Sequence, residues 1–183
     1  MADPAHPSFF ASVADADVSA VRAALAADPR LAASIDPLGR NALMVAVASP
    51  ERTLTMVDVL LRAGVRADWI DAGGMSVLHW ATDINGMGED LEPPALRLVG
   101  AGAPLEHRGP YGWTPLARAV VCGTAFEVAA LVSAGACVDV VLPADTAPSF
   151  ARGRSLIDLA DDDEQKRNAL VPRTTAAPKR RRP

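Results

Sequence analysis

Apolar residues recur at helical spacing in short runs along this chain, and glycine, proline or a small polar residue bounds each run. The clearest run is EVAALVSAGA, from Glu127, whose apolar spacing predicts an amphipathic helix with Gly135 as its left-handed C-cap. Upstream, GWTPLARAV predicts a turn and then a second helix. Gly112 sits where the turn needs positive φ. Thr114 is placed to cap the helix, and Pro115 falls at the first helical position, where a missing N–H costs nothing. Leu116 then points into a core, and Ala119 is small enough to let a paired helix come close. The predicted unit is turn, short helix, loop, second helix.

That order recurs. GRNALMVA at Gly39, GMSVLHWA at Gly74, GWTPLARA at Gly112 and GRSLIDLA at Gly153 share one pattern: Gly, any residue, a polar residue, two mostly apolar residues, two variable residues, Ala. The second apolar runs end in LLRAGV at Gly64, RLVGAGA at Gly102 and ALVSAGA at Gly135. From Gly64 to Leu78 is 14 positions, and from Gly102 to Leu116 is again 14. Between the two runs of a unit the spacing varies: 18 from Ala46 to Gly64, 21 from Ala81 to Gly102, 16 from Ala119 to Gly135. Length variation confined to one place marks a loop between packed elements. The first unit is a helix pair without its turn, at residues 8–14 and 18–26. One such unit cannot bury its own apolar face; stacked units bury a continuous core.

TPLARA at Thr114, with SVLHWA at Ser76 and NALMVA at Asn41, resembles the ankyrin signature T-P-L-H-x-A, and the 33 positions from Gly102 to Gly135 equal that repeat's usual period. The resemblance covers about residues 9–160. The fifth unit departs from it: Leu156 replaces the proline, and Gly135 to Ile157 is 22, longer than the other joints. The resemblance implies an all-α fold, an ankyrin-repeat solenoid of about five helix-turn-helix units with short turn or hairpin tips and degenerate terminal caps. Its units fall at about 8–35, 36–69, 70–106, 107–140 and 150–165, after a flexible N-terminus at 1–7 and before a disordered basic tail at 166–183.

The same resemblance implies a concave groove, formed by the turn tips and the inner face of each first helix. Leu38, Arg40, Met75, Tyr111, Trp113 and Arg154 then fall at tips, and Val45, Trp80 and Arg118 at the groove-facing helix position. Trp, Tyr and Arg dominate binding hot spots because they bury much area with few rotors lost. Trp113 is expected to be exposed. Trp80 either lines the groove or packs on the neighbouring unit, and Trp69 is expected to pack. His79, at the histidine position of the motif, is expected to brace neighbouring turns.

Composition narrows the function. With 183 residues, half of them apolar, the chain suits one domain with a real core. Residues 166–183 hold seven basic side chains and no acid, so of the net charge of −4 the first 165 residues carry −11. Such a body repels phosphates and favours a partner with a basic patch; nucleic acid or membrane attachment is left to the basic tail. Only Lys166 and Lys179 are lysines among 18 basic residues, a bias expected of GC-rich coding in a bacterium or large DNA virus. Cys122 and Cys137 fit no metal spacing, and reduced thiols are expected. MADPAHPSFF has neither the basic nor the apolar region of a secretory signal, so a cytoplasmic protein is expected. His6, His79 and His107 form no hydrolytic or metal motif, and the glycine-rich stretches lack G-K-[ST]. The acidic run Asp158 to Gln165 reads as a solvated helix end, though it could attract a divalent cation.

The expectation is a monomeric, non-catalytic protein-interaction module with no cofactor, metal or small-molecule substrate. A narrower alternative is an inhibitor or immunity-type protein that neutralises a toxic enzyme. A further alternative is attachment to nucleic acid or membrane through the tail.

Overall fold

The computed structural model describes residues 7–51, 53–82, 93–145 and 147–171. Among the described residues the regular structure is helical: α1 (Pro7–Ala14), α2 (Val18–Ala27), α3 (Ala42–Ala48), α4 (Leu54–Arg62), α5 (Val77–Ala81), α6 (Ala95–Gly100), α7 (Pro115–Cys122), α8 (Ala125–Ser133), α9 (Leu156–Leu159) and α10 (Glu164–Leu170). Extended pairing is limited there to isolated bridges, Ile35 with Asn41, Ile70 with Ser76 and Val141 with Ser155.

Such short helices are marginal alone, so their ends and their packing must hold them. The side-chain oxygens of Asn41, Thr53, Ser76, Thr114, Thr124 and Ser155 each accept the backbone N–H three residues on. Losing one such cap typically costs about 1 kcal/mol. The second helices close alike. Val65 N–H donates to Leu60 O at 3.1 Å, Ala103 to Leu98 at 2.9 Å and Ala136 to Leu131 at 3.0 Å. The glycine inside each closure has φ of 86°, 94° or 97°. Because the chain leaves each of these helices in the same geometry, the joint to the next unit can keep its length.

Packing follows chain order. α1, α3, α5, α7 and α9 each contact the next, and each odd-numbered helix packs on the even-numbered helix after it. On the other side α2 meets α4, α6 meets α8, and α8 meets α10. Ala46, Ala81, Ala119 and Ala160 are all buried, at the position where the pattern has its small residue. Leu43, Leu78, Leu116, Leu131 and Leu156 are buried completely or nearly so. Each such leucine contributes roughly 2 kcal/mol of apolar burial.

The last unit is helical on both sides. Asp163 caps α10, whose helix continues past the boundary drawn at residue 165, and Lys166 Nζ donates to Val120 O at 3.0 Å. Lys166 and Arg167 therefore belong to a packed helix rather than to a tail. Residues 1–6, most of the loop at 82–94 and the basic segment from 172 onward lie outside the described residues.

Candidate functional site

Three turns precede α3, α5 and α7, and the first two are built the same way. Asp36 Oδ1 accepts the N–H groups of Leu38 and Arg40 at 2.9 and 2.8 Å; Asp71 Oδ1 accepts those of Gly73 and Met75, both at 2.8 Å. The third turn has Gly109 in place of the aspartate. There Gly112 N–H donates to Gly109 O at 3.0 Å, around Pro110 and Tyr111. Tyr111 has φ 62° and ψ 13°, the third-residue conformation of a type II turn, which ordinarily takes glycine or asparagine.

Adjacent turns are tied together. Trp69 Nε1 donates to Gly39 O at 2.8 Å, and Asn41 Nδ2 donates to Arg66 O at 2.7 Å. One step along, His107 Nε2 donates to Gly74 O and His79 Nε2 donates to Trp113 O, both at 2.9 Å. His79 Nδ1 accepts from Ser76 Oγ at 2.7 Å, so its ring is the neutral tautomer with hydrogen on Nε2. A Cβ at residue 109 would stand 2.9 Å from His79 Nε2, which is why glycine occupies that position.

On the first-helix face, Val45, Trp80 and Arg118 occupy the same register, the fourth residue after the caps Asn41, Ser76 and Thr114. Trp80 is half-buried and held on two sides: its Nε1 donates to Asp71 Oδ2 at 2.7 Å, and the Arg40 guanidinium lies 5.0 Å from its ring centroid. Arg40 in turn pairs with buried Asp36 at 2.7 Å. Asp36, Arg40, Trp80 and Asp71 thus form one chain of contacts across two units. Sequence reasoning missed both aspartates, although each stands four residues before the tip residue whose N–H it binds. Asp71→Ala orphans the N–H of buried Met75 and of Trp80. It is expected to lower stability in urea by about 1–2 kcal/mol and to red-shift Trp80 emission. A loss under about 0.5 kcal/mol would mean the Asp71 contacts carry no net weight.

The structure separates the expected tip residues into two groups. Leu38 and Tyr111 are exposed, at 60% and 55%, and Arg154 is exposed with its guanidinium on the carbonyls of Phe150 and Asp158. Met75 and Trp113, expected at tips, are buried at 8% and 5%. Both follow a turn glycine, as do Arg40 and exposed Arg154, so this position does not by itself set exposure; the Trp113 carbonyl is the acceptor of His79 Nε2, which holds its turn against the preceding one. Trp113 Nε1 has no acceptor among the described residues. Val45 is also buried, within the core, while Arg40 and Arg118 are half-buried. Trp69 packs against the core.

Tyr111→Gly removes a left-handed side chain from an exposed turn. The relief of roughly 1 kcal/mol offsets the extra entropy of the unfolded glycine, so thermal melting is expected within about 1 kcal/mol of wild type. A larger loss would make Tyr111 a folding residue.

No group of three or more His, Cys, Asp or Glu placed to hold a metal ion occurs among the described residues. Cys122 and Cys137 are free thiols. The small cavity beside α5 is lined mainly by Leu78, Ala81, Pro94 and Leu131. No helix among the described residues is long and apolar enough to cross a membrane. No protein-family model matches the chain, and no curated protein matches it.

Proposed function

We propose that the chain is an ankyrin-type repeat module, an all-α solenoid with capping terminal units. It binds a protein partner along its turn tips and first-helix face, without catalysis and without a cofactor. The observation that carries this reading is the braced row of turns. Leu38 and Tyr111 are exposed on turns linked to their neighbours by backbone and side-chain hydrogen bonds, with Trp80 clamped between Arg40 and Asp71. A surface ordered before binding loses little entropy on association, so a few aromatic and arginine anchors suffice for affinity. Free thiols suit the reducing cytoplasm proposed as its compartment.

The test is affinity capture from native lysate followed by mass spectrometry. It compares wild type with a folded Leu38→Ser, Tyr111→Ser double variant and, separately, Trp80→Ala. One protein enriched by wild type and lost with either variant supports the reading. The same set of proteins on all three baits removes the tips and first-helix face from consideration.

A further inference from the structure

One helix face that is covered in the earlier units is uncovered in the last. Two positions after the caps Asn41, Ser76 and Thr114 stand Leu43, Leu78 and Leu116; three after stand Met44, His79 and Ala117; six after stand Val47, Thr82 and Val120. All nine are buried. The same positions after the cap Ser155 are Ile157, Asp158 and Asp161, and all three are exposed, Ile157 at 42%. The cause is the stacking order. α3, α5 and α7 each pack on the first helix of the following unit, whereas α9 packs on α7 and α10. The two aspartates suit the polar outer face that a terminal unit needs. The isoleucine keeps the apolar character that the other units cover.

The charge around this face is negative with every side chain counted. Residues 153–171 hold three basic groups (Arg154, Lys166, Arg167) and five acidic ones (Asp158, Asp161, Asp162, Asp163, Glu164), a net of −2. Asp161 pairs with Arg167 at 3.4 Å and Asp163 with Lys166 at 3.8 Å. Asp158 holds the Ser155 hydroxyl, beside the Arg154 guanidinium. Asp162 and Glu164 are exposed and outside every ion pair among the described residues. The next stretch of chain, PRTTAAPKRRRP from Pro172, holds five basic residues and no acid, a net of +5.

We infer that residues 172–183 of the same chain cover this face, with Ala176, Ala177 and Pro178 over Ile157 and the basic run from Lys179 to Arg182 over the carboxylates. Four residues join α9 to α10, a connection that turns α10 back beside α9, so exposed Val171 returns toward the start of α9. Lys179 is eight residues further on, a reach of at most about 29 Å against the roughly 6 Å length of α9. Each exposed ion pair is weak, but the tether holds the basic run at an effective concentration on the order of millimolar. A basic run engaged at the cap is withheld from nucleic acid and membranes, and salt releases it.

The test uses the full chain. Zero-length carbodiimide coupling joins lysine amines to carboxylates in contact, and Lys166 and Lys179 are the only lysines. Expected are links from Lys179 to Asp158, Asp161, Asp162 or Glu164 within the monomer, reduced about threefold or more by Ile157→Ser and by about 0.5 M salt. Hydrogen exchange of residues 156–170 should quicken about threefold or more in a Lys179→Gln, Arg180→Gln, Arg181→Gln, Arg182→Gln variant, with residues 42–62 unchanged. Unchanged exchange in that variant, or Lys179 links that neither Ile157→Ser nor salt reduces, would mean an uncovered α9 and overturn the inference. Links found only in a cross-linked dimer also overturn it, because the basic run then lies on a second copy.

Discussion

Acidification from pH 7 to pH 4 is expected to remove about 3 kcal/mol of folding stability through His79 alone. His79 is 1% exposed, and its pKa is lowered from 6.5 to about 4. Burial is the largest cause; the nearby charges of His107 and Arg118 add to it, while the bond to Trp113 O and the charge of Asp71 oppose it. Geometry agrees, because Nδ1 lies 3.3 Å from the Ser76 N–H, a fixed donor that a protonated Nδ1 would confront, and protonation would also reverse its bond with the Ser76 hydroxyl. The unfolded chain, with an ordinary histidine, takes up the proton first as the pH falls. Stability from this group is therefore complete above about pH 6.5, declines toward pH 4 and is lost below it. Urea titrations of wild type and His79→Asn at several pH values check this, since carboxylate effects are common to both. The variant should be weaker at pH 7 and should lose less between pH 6.5 and 4. Parallel curves would mean that His79 is accessible to protons in the folded state.

His79 also marks what could be read without coordinates. Its neighbours in SVLHWA predicted a helix start, because cap, apolar pair and small residue are local chemistry with one favourable geometry, whereas the bracing role was implied only by the resemblance to the ankyrin motif. The turn and C-cap glycines are legible for the same reason. Which side chain of a turn faces solvent is not local. Met75 and Trp113 stand beside true tip residues but are buried, and the cause is the packing of one turn on the next: Gly109 against His79, and Trp113 O as the acceptor of His79. Likewise Arg40 looked like an available tip arginine, yet it is engaged by Asp36 and by the face of Trp80, a residue of the following unit. The last helix is hard to see in the sequence because the charged run at its start lacks apolar periodicity. The Asp163 cap and the packing of α10 on α8 make the helix despite that. Helix existence follows from short-range pattern, whereas exposure depends on the unit next door.

Leu78→Ala is expected to cost more than any surface change, about 2–5 kcal/mol. Leu78 is fully buried on α5, the five-residue helix that contacts α3, α6 and α7. It also borders a small, partly open pocket beside Ala81, Pro94 and Leu131, so truncation adds to space that is already incompletely filled. Collapse is opposed from both sides, since α5 begins at the Ser76–His79 capping box and its turn is tied to the next through His107 and His79. Because α5 contacts α3 on one side and α6 and α7 on the other, space opened at Leu78 weakens the packing on both sides at once. The urea midpoint should therefore fall, and if the two sides begin to unfold separately the slope should fall with it. Leu38→Ala, at a 60% exposed tip, is the matched control and should change stability by less than about 0.5 kcal/mol. Equal losses from the two leucines would contradict a core that runs through α5, whereas a large loss at Leu78 with a shallower transition would locate the joint on which the coupling of the units depends.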